Sequence, residues 1–428
     1  MSRFCTKENG RLKEKYFYTT LESGLKITVI PKSHPNKFAF ICCDFGNADL
    51  SYEKNGEIYT LPAGTAHFLE HKMFETENGS DAFLEFDRYG GSANAFTSFE
   101  STCYYFSCTE NFFENLDILL SAVSSAHFTD ESVEKEKKII AREITMYEDS
   151  PSANVTRNLS KALYHNHPMI HAIAGTVDSI SGITKETLYR AFDDFYVPQN
   201  MSLCVCGDID PEAVYDAALR YFGKISSPRP KTLYGNEPET VSAEKIEKTA
   251  TVASDLYAIG IKCPSVEKND LDSFRKATAM RIAISLTFGR ASDFYCENYA
   301  LGLLNERFYA GYTQSRNAAY IIISGSGNDA MTVMEKAKSE LESCKELFFT
   351  DEQILREKRA AYAESLTLFD SGEDLTAAGA SCAFLDYDEF DCIEVLSDIT
   401  HDEIKEALAS IDLTRISVSI VCNGKERN

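Results

Sequence analysis

Gly64-Thr-Ala-His-Phe-Leu-Glu-His-Lys-Met-Phe74 reads as a helix that carries His67, Glu70 and His71 on one side. Residues three and four apart project from the same face of an α-helix, so both imidazoles can reach one ion and Glu70 points that way too. Two neutral imidazoles and a carboxylate are an ordinary zinc set, with a further position open to water. A carboxylate beside that water can take its proton, which is the chemistry of metal-assisted hydrolysis. His-x-x-Glu-His reverses the commoner His-Glu-x-x-His and is itself a metalloprotease signature. With only 8 histidines in 428 residues, composition puts a chance match at about one in a hundred.

The chain around this motif is long enough for two or more domains of ordinary size. Its 44% hydrophobic and 25% charged content describes a globular protein. No apolar run approaches the roughly 18 residues of a membrane span. The opening Met-Ser-Arg-Phe-Cys-Thr-Lys-Glu-Asn-Gly lacks the apolar core of a secretory signal. The 13 cysteines include no Cys-x-x-Cys pair; Cys42 and Cys43 are adjacent, and Cys204 and Cys206 alternate along an expected strand. That scatter is expected to be reduced, mostly buried thiols in a cytoplasmic protein rather than a disulfide framework. A net charge of −23 argues against a general nucleic-acid binder, which needs a basic footprint, and solubility explains it better than attraction of basic or neutral peptides.

Leu25–Pro31 and Lys37–Phe45 read as β-rich runs ahead of the motif helix. Ala82–Tyr89 reads as a helix stopped by Gly90-Gly91, and Ala93–Ser107 as a strand pair rich in aromatic and β-branched residues. Phe112–Val123 repeats apolar side chains at helical spacing, and helices are expected around Glu131–Glu148 and Ala153–Tyr164. A helix at Lys185–Phe195, the strand Ser202–Cys206 and a helix at Pro211–Tyr221 complete the first half. Residues 224–247 replace periodicity with Pro, Gly, Ser and charge, so they read as a linker.

Beyond it the pattern replays. Phe96–Ser107 aligns with Tyr312–Ile323 at an offset of 312 − 96 = 216, and the helix Phe112–Val123 with Asn328–Leu341. At that offset His67, Glu70 and His71 fall on Ala283, Leu286 and Thr287, an apolar helix without ligands. The expected class is α+β: two similar α/β sandwich units in tandem, each an antiparallel-rich sheet packed with helices. Residues 1–223 are expected to form a zinc-binding catalytic domain, and 248–428 a related domain without the metal motif.

Zinc requires at least one more protein donor. In Asp130–Asp149, Glu136, Ile140 and Glu143 share a helix face, so a carboxylate near core-facing isoleucines turns inward. Glu131, Glu134 and Glu148 read instead as solvent-facing charges beside Lys135, Lys137 and Lys138. Spacing alone does not choose between Glu136 and Glu143. His165, His167 and His171 lie in a loop-like run without a cysteine or carboxylate partner, and ordinary packing explains them.

Three stretches then belong together: His67-Phe-Leu-Glu-His71, Gly90-Gly-Ser-Ala-Asn-Ala-Phe-Thr97, and Glu136-x6-Glu143-Ile-x-Met-x-x-Asp149-x-Pro151. With them the chain resembles the pitrilysin/insulinase family of inverted-motif zinc peptidases, which includes the mitochondrial processing peptidase. The likeness continues through Gly175, Tyr196-x-Pro198-x-Asn200-Met201 and Gly207-Asp208, and is strongest in the first half. The resemblance implies one zinc ion on His67, His71 and Glu143, with Glu70 as general base and Glu136 as a supporting acid. It also implies an extended peptide added to the strand after the Gly-Gly turn, along Asn94, Ala95 and Thr97, by main-chain hydrogen bonding.

One departure stands in the second half. Family members commonly carry Leu-Arg-x-x-x-Gly-Leu-x-Tyr, where this chain has Glu297–Asn305 with Asn298 and Asn305 at the Arg and Tyr positions. Arg307, Tyr309 and Tyr312 lie near enough in sequence to substitute. The chain is about half the length of the fused family members, so the resemblance implies a homodimer, or a heterodimer with a related motif-lacking chain. The expected function is a zinc endopeptidase for peptides or short unfolded segments, with no membrane or nucleic-acid partner. The competing expectation is a non-catalytic peptide-binding or assembly subunit of a heterodimeric peptidase.

Overall fold

Strands arise where β-branched, aromatic and cysteine residues alternate or run together, and helices where apolar residues recur at 3.6-residue spacing. The computed structural model describes residues 3–75, 82–224, 228–266, 270–327 and 329–424. Residues 225–227 of the expected linker and Asn328 at the head of the expected counterpart helix lie outside them. The chain forms two compact units. The first is Met1–Ile144, His171–Leu233 and Leu366–Phe390; the second is Thr145–Ile170, Tyr234–Ser365 and Asp391–Asn428.

The first unit contains β1 (Cys5–Asn9), β2 (Glu14–Thr20), β3 (Lys26–Ile30), β4 (Lys37–Cys43) and β5 (Ser51–Lys54). It adds β6 (Glu57–Thr60), β7 (Ser92–Thr97), β8 (Thr102–Cys108), β9 (Met201–Cys206) and the short β10 (Lys231–Thr232). Seven of these make one sheet in the order β1-β2-β3-β9-β4-β8-β7, which leaves β7 at an edge, while β10-β5-β6 form a smaller sheet. The first helices in chain order are α1 (Thr65–Lys72), α2 (Ala82–Arg88), α3 (Phe112–Ser124), α4 (Asp130–Glu148) and α5 (Pro151–Leu163). Phe68, Leu69, Leu116, Leu119 and Leu120 from α1 and α3 are completely buried in the first unit's core.

The second unit contains β11 (Lys245–Ala250), β12 (Leu256–Lys262), β13 (Tyr309–Ser315), β14 (Ala318–Ser326) and β15 (Ile416–Asn423), in the order β11-β15-β12-β14-β13. Its β11–β15 pair is parallel and its other pairs antiparallel. The run β3-β9-β4-β8-β7 of the first unit has the same pattern. The replay at offset 216 is thus a repeat of topology. Ala283, Leu286 and Thr287 lie buried on the helix Leu271–Phe288, filling core where the first unit displays its motif.

Each unit borrows one helix from the other half of the chain. The apolar face of α5, with Val155, Leu159, Ala162 and Leu163, packs on β12 and β15. The helix Gly372–Cys382 packs on β4 and β9. Missing side chains permit these contacts: a Cβ on Gly260 of β12 would lie 2.8 Å from Leu163 Cδ1, and one on Gly379 2.8 Å from Cys204 Sγ.

Residues 228–247 also depart from the linker reading, because their charges are consumed by partners. In the first unit β10 pairs with β5, Arg229 forms an ion pair with Asp44, and Thr232 hydrogen-bonds Asp49. In the second, Glu237 accepts the backbone N–H groups of His165, Asn166 and His167 at 3.0, 2.7 and 2.9 Å and pairs with Lys262 at 2.5 Å. An irregular strap and a loose linker have the same composition; the buried partners distinguish them.

The thiol expectation needs correcting at one pair. Cys42 and Cys103 sit opposite each other in the β4–β8 register and are joined as a disulfide, 61 residues apart in sequence. Cross-strand register creates that proximity, and sequence spacing does not reveal it. Cys204 and Cys206 are free and buried, as are Cys43, Cys108, Cys263 and Cys344, whereas Cys5 and Cys296 are free and exposed.

His167 is packing, as expected. Its Nε2 donates to the Arg316 carbonyl at 2.8 Å, and its Nδ1 accepts the Met169 N–H at 3.2 Å. Only a neutral ring satisfies both, and burial, with Lys262 adding to it against the pull of Glu237, pushes its pKa down to about 4. Because the folded value lies below the unfolded one near 6.5, this stability is whole above that pH and lost as pH falls toward 4. In urea unfolding, the advantage of wild type over His167→Phe should shrink by on the order of 3 kcal/mol between pH 7 and pH 4. A difference independent of pH would refute the neutral-ring assignment. Gly260→Val should cost about 1–3 kcal/mol by overpacking against Leu159 and Leu163, read from the same titration.

Candidate metal centre

Helix α1 begins where only glycine fits. Gly64 has φ 95°, and a Cβ there would lie 2.7 Å from the Ala174 carbonyl oxygen. Gly175, with φ 74°, lies as close to Ala63, whose carbonyl also accepts the Ser179 hydroxyl at 2.7 Å. The loop around residues 172–179 therefore fixes the start of α1. From there the 3.6-residue period does the rest: Phe68 and Leu69 enter the core, and His67, Glu70 and His71 turn to the opposite side.

Helix α4 supplies the facing carboxylates. Val133, Ile140 and Ile144 anchor it in the core. Glu136 and Glu143, two turns apart, lie toward α1. Glu143 Oε1 is 3.6 Å from His67 Nε2, and its Oε2 is 3.6 Å from His71 Nε2. Glu136 Oε1 lies 2.9 Å from His71 Nδ1. Spacing left Glu136 and Glu143 as alternatives; the fold separates them, one in the cluster and one behind a histidine.

The donor atoms of His67, His71 and Glu143 lie within 4.8 Å of one another. Among the described residues this is the one such group of three or more His, Cys, Asp or Glu. When His71 donates its Nδ1 proton to Glu136, its Nε2 lone pair faces the lone pairs of a carboxylate. Where the facing nitrogens of His67 and His71 carry no proton, they and the Glu143 carboxylate repel as converging acceptors, and a cation removes that repulsion. Four-coordinate zinc with bonds of about 2.0–2.2 Å sets its donors roughly 3.4 Å apart, close to the observed spacing. The residues present thus fit such an ion. Burial lowers the His71 pKa, but the hydrogen bond to Glu136 and the charges of Glu136, Glu70 and Glu143 outweigh it, so the net shift is upward.

Asn94, Ala95 and Thr97 fall on the edge strand β7. Its burial alternates, placing Ala93, Ala95 and Thr97 on the more covered face and Ser92, Asn94 and Phe96 on the exposed one. The Ala95 N–H donates to Asn94 Oδ1 at 2.9 Å rather than into β8, so it points along the open edge. The Thr97 hydroxyl donates to Glu70 Oε2 at 2.5 Å. Sequence reasoning missed that contact, because Thr97 and Glu70 are 27 residues apart on different elements.

In the second unit, Asn298 and Asn305 are occupied structurally. Asn298 is buried and donates to the Phe294 carbonyl at 2.7 Å, and Asn305 donates to the Ser326 carbonyl at 2.7 Å and accepts the Arg307 N–H at 3.0 Å. Tyr309 is exposed at the β13 edge, while Tyr312 is largely covered and its hydroxyl pKa is raised by burial.

Known proteins are similar to this chain in sequence and fold. The family described as Insulinase (Peptidase family M16) matches residues 56–177, and Peptidase M16 inactive domain matches residues 182–361. A Bacillus subtilis (strain 168) protein named "Uncharacterized zinc protease YmfH" is 33% identical over 407 residues, covering 94% of this chain and 95% of that protein. A Schizosaccharomyces pombe protein named "Probable mitochondrial-processing peptidase subunit beta" is 30% identical over 214 residues, or 48% of this chain and 45% of its own. Among solved structures, an M16-like peptidase from Alicyclobacillus acidocaldarius has a TM-score of 0.90 at 30% identity over 99% of both chains. A Helicobacter pylori protease with a TM-score of 0.82 at 18% identity shares the fold. Two sheet-and-helix units of this topology define the class as an M16-type peptidase fold. The chain belongs to the insulinase family, peptidase family M16. Among the described residues no helix is long and apolar enough to cross a membrane.

If Glu136 orients His71, Glu136→Ala should weaken zinc binding about 10- to 100-fold, measured by competition with a chromogenic chelator. Unchanged affinity would show that the 2.9 Å contact is incidental.

Proposed function

We propose that the chain is a zinc-dependent endopeptidase that hydrolyses peptides or short unfolded segments. The observation that carries this reading is the convergence of His67 Nε2, His71 Nε2 and the Glu143 carboxylate, beside β7, which is an edge strand among the described residues. In this reading His67, His71 and Glu143 hold the ion and Glu136 orients His71. The ion supplies Lewis acidity toward a scissile carbonyl and lowers the pKa of water in the site. Glu70 takes the proton of the attacking water and returns it to the leaving amine. The outward-pointing backbone groups of β7 at Ala95 and Thr97, flanked by the Asn94 side chain, hold the substrate backbone as an added strand, which grips peptides with little regard to sequence. Such a strand must be extended, so folded domains are poor substrates.

The relative named as a processing-peptidase subunit supports a working form that is a dimer, with itself or with a related motif-lacking chain. The structural use of Asn298 and Asn305 favours a second reading, a non-catalytic peptide-binding or assembly subunit. Catalysis separates the two. Glu70→Gln should keep its zinc and lose about 10²–10⁴-fold in kcat on a mixed peptide library. Near-normal cleavage by that variant would remove Glu70 as base, and chelator-insensitive wild-type cleavage would remove the metal from the reaction. His67→Ala or Glu143→Ala should lose the zinc itself; full occupancy by metal analysis would strike that residue from the set. Native mass measurement that finds only monomer would exclude the dimer.

A further inference from the structure

We propose that Thr97 is a positioning residue for Glu70, holding that carboxylate in one orientation through its side-chain hydroxyl. The inference rests on the reading of Glu70 as the base and deepens it. The hydroxyl donates to Glu70 Oε2 at 2.5 Å, leaving Oε1 to receive the proton of water. A glutamate has three rotatable bonds, and on the solvent-facing side of a helix few packing contacts restrict them. A hydrogen bond from a fixed donor does.

The donor is fixed by its surroundings. Thr97 is the last residue of β7 and pairs with Thr102 across the hairpin. The turn between them is closed by the Ser98 N–H on the Ser101 carbonyl at 2.8 Å, and the Ser98 hydroxyl oxygen accepts the Glu100 and Ser101 N–H groups at 3.1 and 3.0 Å. That turn is tied to the segment after β4. The Asn47 and Ala48 N–H groups donate to the Ser98 and Phe99 carbonyls at 3.1 and 2.7 Å. The Thr102 hydroxyl donates to the Phe45 carbonyl at 2.9 Å. A Cβ on Gly46 would lie 2.5 Å from the Phe99 oxygen, so the two segments touch backbone to backbone.

Sequence pattern completes the placement. Period-two alternation puts Thr97 on the same face as Ala93 and Ala95, whose small side chains pack against the core and let α1 lie close to β7. Threonine's β-branching restricts χ1, so the hydroxyl is aimed before substrate arrives. Thr97 thereby serves the base with its side chain, in addition to any role of its backbone in the strand edge. Misplacement of a reacting group by about 1 Å costs on the order of 10²-fold in rate, which sets the expected scale.

The test compares Thr97→Val, which keeps the shape and removes the hydroxyl, with Thr97→Ser, which keeps the hydroxyl. Thr97→Val should lose about 30- to 100-fold in kcat with KM unchanged. Its zinc content should stay full, and its peptide affinity, measured in the Glu70→Gln background, should match that of Glu70→Gln alone. Thr97→Ser should restore most of the rate. Crystals of Thr97→Val should show Glu70 in more than one rotamer, where wild type shows one. The proposal is overturned if Thr97→Val turns over normally, if its loss lies in KM or peptide affinity, if zinc is lost, or if Thr97→Ser does not rescue. Should wild type itself cleave nothing, the peptidase reading fails, and the crystals still decide: an unchanged single Glu70 rotamer refutes positioning.

Discussion

Three potential metal ligands held face to face are the constraint around which the first unit is organised. His67 and His71 on α1 each point a ring nitrogen at Glu143 on α4 across 3.6 Å. Left to themselves, such groups would turn toward water. They cannot, because Phe68 and Leu69 on one helix and Ile140 and Ile144 on the other are locked in the core, and the polar residues follow from helical geometry. Burial of apolar surface thus holds three potential ligands converged on one point.

The supporting groups are arranged in layers behind that face. Glu136 engages the second nitrogen of His71, and Thr97 engages one oxygen of Glu70. Behind Thr97 stands a turn stitched by backbone hydrogen bonds to residues 45–48, and behind α1 a loop whose Gly175 permits close approach to Ala63. A half-buried carboxylate is thereby referenced to the β7–β8 hairpin.

The two units show how duplication and specialisation coexist. Both use the same five-strand order, and both complete their sheet cover with a helix from the other half of the chain. Where the first unit exposes His67, Glu70 and His71, the second buries Ala283, Leu286 and Thr287. Ala283 and Leu286 fill that helix face and the Thr287 hydroxyl donates to the Ala283 carbonyl, so among the described residues no metal-ligand cluster stands there. Asn298 and Asn305 likewise use their amides to close local backbone rather than to meet a ligand.

The strand runs, the helix periods, the 216-residue replay and the His-x-x-Glu-His face were all legible locally, because each depends on repeats of two or 3.6 residues within one element. So was the inward turn of the Glu136 and Glu143 face, since isoleucines mark the buried side of α4. Long-range register was not legible. It joins Cys42 to Cys103, brings Thr97 to Glu70 and fastens Arg229 and Glu237 into what composition presents as a linker. Local periodicity states which way a side chain points, whereas packing between elements distant in the chain decides what it meets.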